Sequence, residues 1–193
     1  LLGATVVPVE SGSKTLKVMP AAGGGARDVL RDAQLPLPAA IAWAATSQDV
    51  LDSALMLLAH RSASLTVSQL RTAAASLETF AAEHRDAVAA ARTLTQHAVP
   101  TTIGLRAAGW LRGVRRATEH LERATAALPA QLAGAGGTLA SFVQVGGIDA
   151  ARALPAAFAA QLGLASPDGP WHTQRWPVTE LGDALTQALD ALG

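Results

Sequence analysis

Thr102-Ile103-Gly104-Leu105-Arg106-Ala107-Ala108-Gly109-Trp110-Leu111-Arg112-Gly113-Val114-Arg115-Arg116-Ala117-Thr118-Glu119-His120-Leu121 is the stretch on which the fold turns. Ala107, Leu111, Val114, Leu121 and, beyond it, Leu128 recur every three, four or seven residues, the spacing of one helical face. Pro100 cannot continue a helix, so the reading places a long helix start at Thr101 or Thr102. Its opposite face carries Arg115, Glu119 and Arg123 at i,i+4, a charge run that reads as a solvated surface.

The same period extends in both directions. Thr46 and Asp49 have the form of a capping box, and Val50, Ala54, Leu57 and Leu58 follow as one apolar face. A second helix is expected to open at Thr66, with Gln69 as the returning side chain, and to pass through Leu70, Leu77 and Phe80 towards Arg92. Gly134-Ala135-Gly136-Gly137-Thr138 reads as a turn, and Pro155 is expected to kink or divide the helix after it. The last helix follows Pro177 and is expected to pack through Leu181, Leu185, Leu189 and Leu192. Trp43 and Trp110 are expected in the core. No hairpin signal and no alternating strands are legible, so the fold class is all-α, a bundle of long helices.

Residues 1–45 differ. Val6-Val7-Pro8-Val9 is extended in character, and residues 10–26 form a Gly/Ser/Lys mixture, expected to be a mobile loop, that includes Gly23-Gly24-Gly25. Gly12-Ser13-Lys14-Thr15 lacks the Gly-Lys-Ser/Thr ending of a phosphate-binding loop.

Of 193 residues half are hydrophobic, enough to bury a substantial core, and 15 basic residues balance 15 acidic ones. That balance argues against nucleic acid or an anionic membrane as the partner. There are no cysteines, which fits a cytoplasmic protein, and the apolar stretches are short or interrupted by charge, so a soluble chain is expected. His60, His84 and His120 lie on expected helices without ligand spacing, so no metal site is expected.

Three polar segments interrupt this background: Thr46-Ser47-Gln48-Asp49, then Arg92-Thr93-Leu94-Thr95-Gln96-His97-Ala98-Val99-Pro100-Thr101-Thr102, then Pro170-Trp171-His172-Thr173-Gln174-Arg175. Each sits where helical runs break and backbone N–H groups can meet an anion. Thr46 with Ser47, and Thr101 with Thr102, can offer hydroxyls and amides at helix starts; Gln96 can orient a ligand; Arg175 can clamp a carboxylate bidentately. Each has a plainer alternative. Thr46 is equally explained as an N-cap, His97 as a structural histidine, and His172 with Arg175 as a polar loop tucked under Trp171.

Together, and with Gly136-Gly137-Thr138 between the second and third, these segments resemble the fumarase/aspartase superfamily, in particular its branch of bacterial 3-carboxy-cis,cis-muconate cycloisomerases. The resemblance implies a homotetramer with active sites where the three segments of different subunits meet. It implies a cofactor-free lactonisation of 3-carboxymuconate, a small tricarboxylate, to carboxymuconolactone in protocatechuate breakdown by the β-ketoadipate pathway. It places Thr46, Ser47, Thr93, Gln96, His97, Thr101, Thr102 and Arg175 as substrate-binding candidates and His172 as the catalytic candidate. Argininosuccinate and adenylosuccinate lyases carry a His after the Thr that corresponds to Thr93, and this chain has Leu94, which favours the cyclising branch over the lyases. The family's His and Gly just before Ala45-Thr46 are replaced by Ala42 and Ala44.

On this resemblance residues 1–45 are the end of an N-terminal domain with a Gly-rich insertion or loop, and residues 46–193 are part of the central helical bundle. The family's Gly-Ser-Ser-x-Met-Pro-x-Lys-x-Asn loop, whose Ser is considered the base, has no counterpart here. The chain is therefore expected to be a fragment, inactive by itself. A catalytically inactive helical assembly module is the alternative from another class.

Overall fold

The computed structural model describes residues 44–193 and the backbone of two short strands nearer the N-terminus, β1 (Ala4–Pro8) and β2 (Leu16–Pro20). Trp43, Ala42 and most of the segment read as a mobile loop lie outside the described residues. β1 and β2 pair antiparallel, Ala4 opposite Pro20 and Pro8 opposite Leu16. β1 agrees with the extended reading of Val6-Val7-Pro8; β2 falls inside the expected loop and corrects it.

Helices dominate the rest: α1 (Ser47–Glu83), α2 (Ile103–Ala126), α3 (Ala140–Leu162) and α4 (Trp176–Asp190). Between α1 and α2 lies an antiparallel hairpin, β3 (Val88–Thr93) and β4 (Gln96–Thr102). No helix among the described residues is long and apolar enough to cross a membrane. The chain packs as two units, Leu1–Leu55 with Pro129–Gln174 and Met56–Leu128 with Arg175–Gly193.

In the second unit α1, α2 and α4 share one core. Ala63, Val67, Leu70 and Ala74 of α1 meet Leu111, Val114 and Leu121 of α2 and Ala184 and Ala188 of α4, all at helical spacing. Full burial of a side chain such as Leu121 is worth about 1.5–3 kcal/mol. Thr102 caps α2, its Oγ1 accepting from Leu105 N at 3.1 Å, as the sequence led one to expect. Just inside the cap, Gly104 lies against the C-terminal end of α1. A Cβ there would fall 2.6 Å from the Ala81 carbonyl oxygen and 2.6 Å from Arg85 Cα, while Gly104 N donates to His84 O at 2.9 Å. Gly104→Ala is therefore expected to lower stability by about 1–3 kcal/mol, since backbone must shift to admit it. A urea midpoint that moves by less than the error of measurement would contradict this.

Several expectations are corrected. α1 does not restart at Thr66, because the Thr66 hydroxyl donates to Ser62 O at 3.0 Å and is used inside one continuous helix. It also ends at Glu83, and the residues read as its last turns form β3. The apolar face assigned to its start is inverted: Asp49, Asp52, Ser53 and Met56 are buried, whereas Val50 and Leu58 are more than half exposed. Trp110 is exposed, with Arg106 over its ring at 5.8 Å. α4 buries Pro177, Ala184 and Ala188, with Leu181 packed beside them, and leaves Leu185, Leu189 and Leu192 exposed. Arg115 reaches Glu78 of α1 at 2.7 Å, in place of Glu119. α3 bends at Gly147, whose φ of 80° is open to glycine, and Pro155 lies inside the helix beyond the bend.

Candidate functional site

In the first unit a buried set of hydrogen-bond donors converges on Asp49. The carboxylate is 1% exposed. Its Oδ2 accepts from Thr46 N and Gly134 N, each at 2.9 Å; its Oδ1 accepts from Ala133 N at 3.0 Å and Gln131 Nε2 at 3.3 Å, and contacts His172 Nε2 at 2.9 Å. The Thr46 N–H bond is the returning half of a capping box, so the sequence signal is real. It is also a small part of what Asp49 does.

The donors come from a segment the sequence reading passed over. Leu128 through Gly134 is buried, and Pro129 ends the helical path by removing a donor. Gln131, fully buried, returns every bond: its N–H donates to Ser53 Oγ at 3.0 Å, its C=O accepts from the same hydroxyl at 2.9 Å, and its Oε1 accepts from Trp171 N at 2.8 Å. The Trp171 indole N–H donates to Ala130 O at 3.1 Å, so a 1% exposed tryptophan anchors the third polar segment. Gly134 holds φ 72° where its N–H turns to Asp49, and a Cβ there would meet Ala44 O at 3.1 Å. Ala44 itself joins Leu132, Phe142, Ala151 and Leu154 in a small core.

The structure thus joins Thr46 and His172 through Asp49. Ser47 follows in the first turn of α1, exposed. A signal for Gln131 existed, a lone amide in the apolar run Leu128-Pro129-Ala130-Gln131-Leu132-Ala133. Asp49 lay inside a quoted segment and was read only as a cap.

The hairpin of the second unit gathers the middle segment. Thr93 pairs with Gln96, Arg92 with His97, and Ala89 with Thr101. Arg92, Thr93, Thr95, Gln96 and His97 line an open concavity of about 420 Å³, and Arg92 Nη2 lies 3.5 Å from His97 Nε2. Thr102 caps α2 with its Oγ1 as acceptor, a role that leaves the O–H to donate. Leu94 is 88% exposed at the turn. Arg175 stands at the N-cap position of α4, its carbonyl accepting from Val178 N at 3.1 Å. Among the described residues no three His, Asp or Glu side chains group as metal ligands would.

A helix-rich chain whose polar segments interrupt long helices in this order defines a recognisable class, and a model of a lyase family matches residues 33–193. The chain belongs to that lyase family, within the fumarase/aspartase superfamily. It is 45% identical over 151 residues to a nitrosuccinate lyase of Streptomyces davaonensis, spanning 77% of this chain and 32% of that protein. To a 3-carboxy-cis,cis-muconate cycloisomerase of Pseudomonas aeruginosa it is 40% identical over 152 residues, with 77% and 32% covered. The crystal structure of the 3-carboxy-cis,cis-muconate lactonizing enzyme from Pseudomonas putida matches with a TM-score of 0.70 at 33% identity, covering 77% of this chain and 33% of that one. The chain spans about a third of the length of the curated relatives it matches.

Proposed function

We propose that this chain carries part of the active site of a lyase-superfamily enzyme that forms or breaks a bond beside a carboxylate, with 3-carboxy-cis,cis-muconate as its substrate. The observation that carries the reading is His172, a half-buried imidazole held by a buried carboxylate in the first unit. In the lactonisation a carboxylate oxygen adds across a C=C bond and the neighbouring carbon takes a proton. Charge builds on one carboxyl as an aci-carboxylate, which calls for preorganised donors. On the family pattern, in which the segments of different subunits meet, Thr46 and Ser47 at the start of α1, Thr93, Gln96, His97, Thr101 and Thr102 on the hairpin, and Arg175 are the donors proposed for the three carboxylates. His172 handles the proton. Leu94 supports the cyclising branch, since it supplies no acid or base where the argininosuccinate- and adenylosuccinate-type lyases have one.

A second reading, elimination from nitrosuccinate, is favoured by the 45% identity to the Streptomyces protein. That substrate is also a small polyanion, and the same donors suit it. Assay of the complete enzyme, with the Gly-Ser-Ser-x-Met-Pro loop in place, on both compounds separates the two: loss of the conjugated diene absorbance supports lactonisation, nitrite release supports the second. Neither reaction in that complete, folded enzyme would favour the assembly-module alternative. Exposed Val50, Leu51, Leu55, Leu58 and Leu65 on α1 support a homo-oligomer, a tetramer on the family pattern; the stripe of α2 is used within the second unit.

In the complete enzyme Arg175→Ala is expected to lower kcat/KM by ten- to a hundredfold or more, because a charge-assisted bond to an anionic substrate is worth about 1.5–3 kcal/mol. Arg175→Lys should recover only part of it, as a point charge cannot reproduce a two-pronged contact. A variant that melts earlier yet keeps its kinetic constants per folded molecule would remove Arg175 from the site.

A further inference from the structure

We infer that Asp49 and Gln131 hold neutral His172 as the Nε2–H tautomer, so that the ring exchanges its proton at Nδ1. The assignment follows from what each partner can do. Gln131 Oε1 accepts from Trp171 N at 2.8 Å, which fixes the amide and turns Nε2, a donor, towards Asp49 and His172. An ionised carboxylate only accepts. His172 Nε2 is 2.9 Å from Asp49 Oδ1, and a ring lone pair there would face an oxygen lone pair inside a 1% exposed site. Nε2 therefore carries the hydrogen, and the 3.2 Å approach of Gln131 Nε2 to the same ring nitrogen is two donors converging on one oxygen.

The other side of the ring meets the turn Ala135–Gly137. At Gly137, with φ 71°, a Cβ would lie 3.6 Å from His172 Nδ1 and 3.1 Å from Pro170 Cγ, so glycine lets the turn lie close to the ring. Whatever meets Nδ1 while the ring is neutral meets an acceptor. In the imidazolium, both N–H groups are present, one of them still bonded to Asp49. In the proposed cyclisation the carboxylate oxygen's electron pair forms the C–O bond and the C=C pair shifts onto the adjacent carbon as the aci-carboxylate. That carbon then takes the proton from Nδ1–H, returning His172 to the neutral Nε2–H form. Asp49 and Gln131 are positioning residues in this scheme. The proton-transfer part rests on the function proposed above; the tautomer does not.

The test is the imidazole ¹⁵N spectrum of the histidine-labelled protein at alkaline pH, with the His172 signals identified by their loss in His172→Gln. Expected are a pyrrole-type Nε2 and a pyridine-type Nδ1. In Asp49→Asn the side-chain oxygen stays with the N–H groups of Thr46 and Gly134, and the amide nitrogen takes the place of Oδ1 and offers an N–H to Nε2, so the two ring nitrogens should exchange character. An Nδ1–H or averaged pattern in the wild type overturns the inference, as does a wild-type pattern retained in Asp49→Asn. If Asp49→Asn does not fold, the wild-type spectrum decides alone. The expected tautomer together with a complete enzyme inactive on both substrates would keep the positioning and overturn the proton-transfer role; activity with the opposite tautomer would overturn the positioning.

Discussion

Asp49→Ala is expected to destabilise the protein by about 3–5 kcal/mol, because several buried donors lose their shared acceptor at once. Truncation takes the acceptor from the backbone N–H groups of Ala133, Gly134 and Thr46 and from the Gln131 amide and His172 ring. Each buried donor left without a partner costs about 1–3 kcal/mol, and the sum falls short of additive because the 131–134 segment can relax. Asp49→Asn keeps one oxygen for the backbone donors and should lose less. The measurement is the urea midpoint with unchanged m-value. A loss below about 1 kcal/mol for the alanine variant, within the range of an ordinary N-cap substitution, would reduce Asp49 to the local role its sequence context suggests.

In the complete enzyme His172→Gln should lower kcat by about 10²–10⁴-fold, the usual contribution of a positioned acid or base, with KM moving only a few-fold. Glutamine retains an N–H that can reach Asp49, so the buried carboxylate keeps a donor. It has no atom that titrates. The competing view, a polar loop tucked under Trp171, expects a lower melting temperature and undiminished kcat per folded molecule. Kinetics and melting measured on the same preparation distinguish the two.

How much of this was legible differs from element to element. α2 was readable almost to the residue, because Ala107, Leu111, Val114 and Leu121 bury one face and Thr102 caps it. The β3–β4 hairpin was not. Its turn has Leu94-Thr95, with Thr95 at φ 65°, in place of the Asn-Gly or Asp-Gly that announces such a turn, and β3 is largely alanine. The start of α1 is illegible for a different reason: its apolar residues are not its buried ones, because carboxylates and a serine go inside where the Gln131 to Gly134 segment satisfies them.

By itself the sequence determined the helical class, the α2 face and cap, and, through three polar segments, the family. These are properties of local spacing and of short motifs, which need no knowledge of distant partners. Only the tertiary structure decided that Asp49 is a hub, that Gln131 belongs to the site, and that His172 meets a carboxylate 123 positions away in the chain. Hydrogen bonds between residues so far apart leave no periodic trace, since the pairing depends on where the chain returns and not on what stands next to each residue.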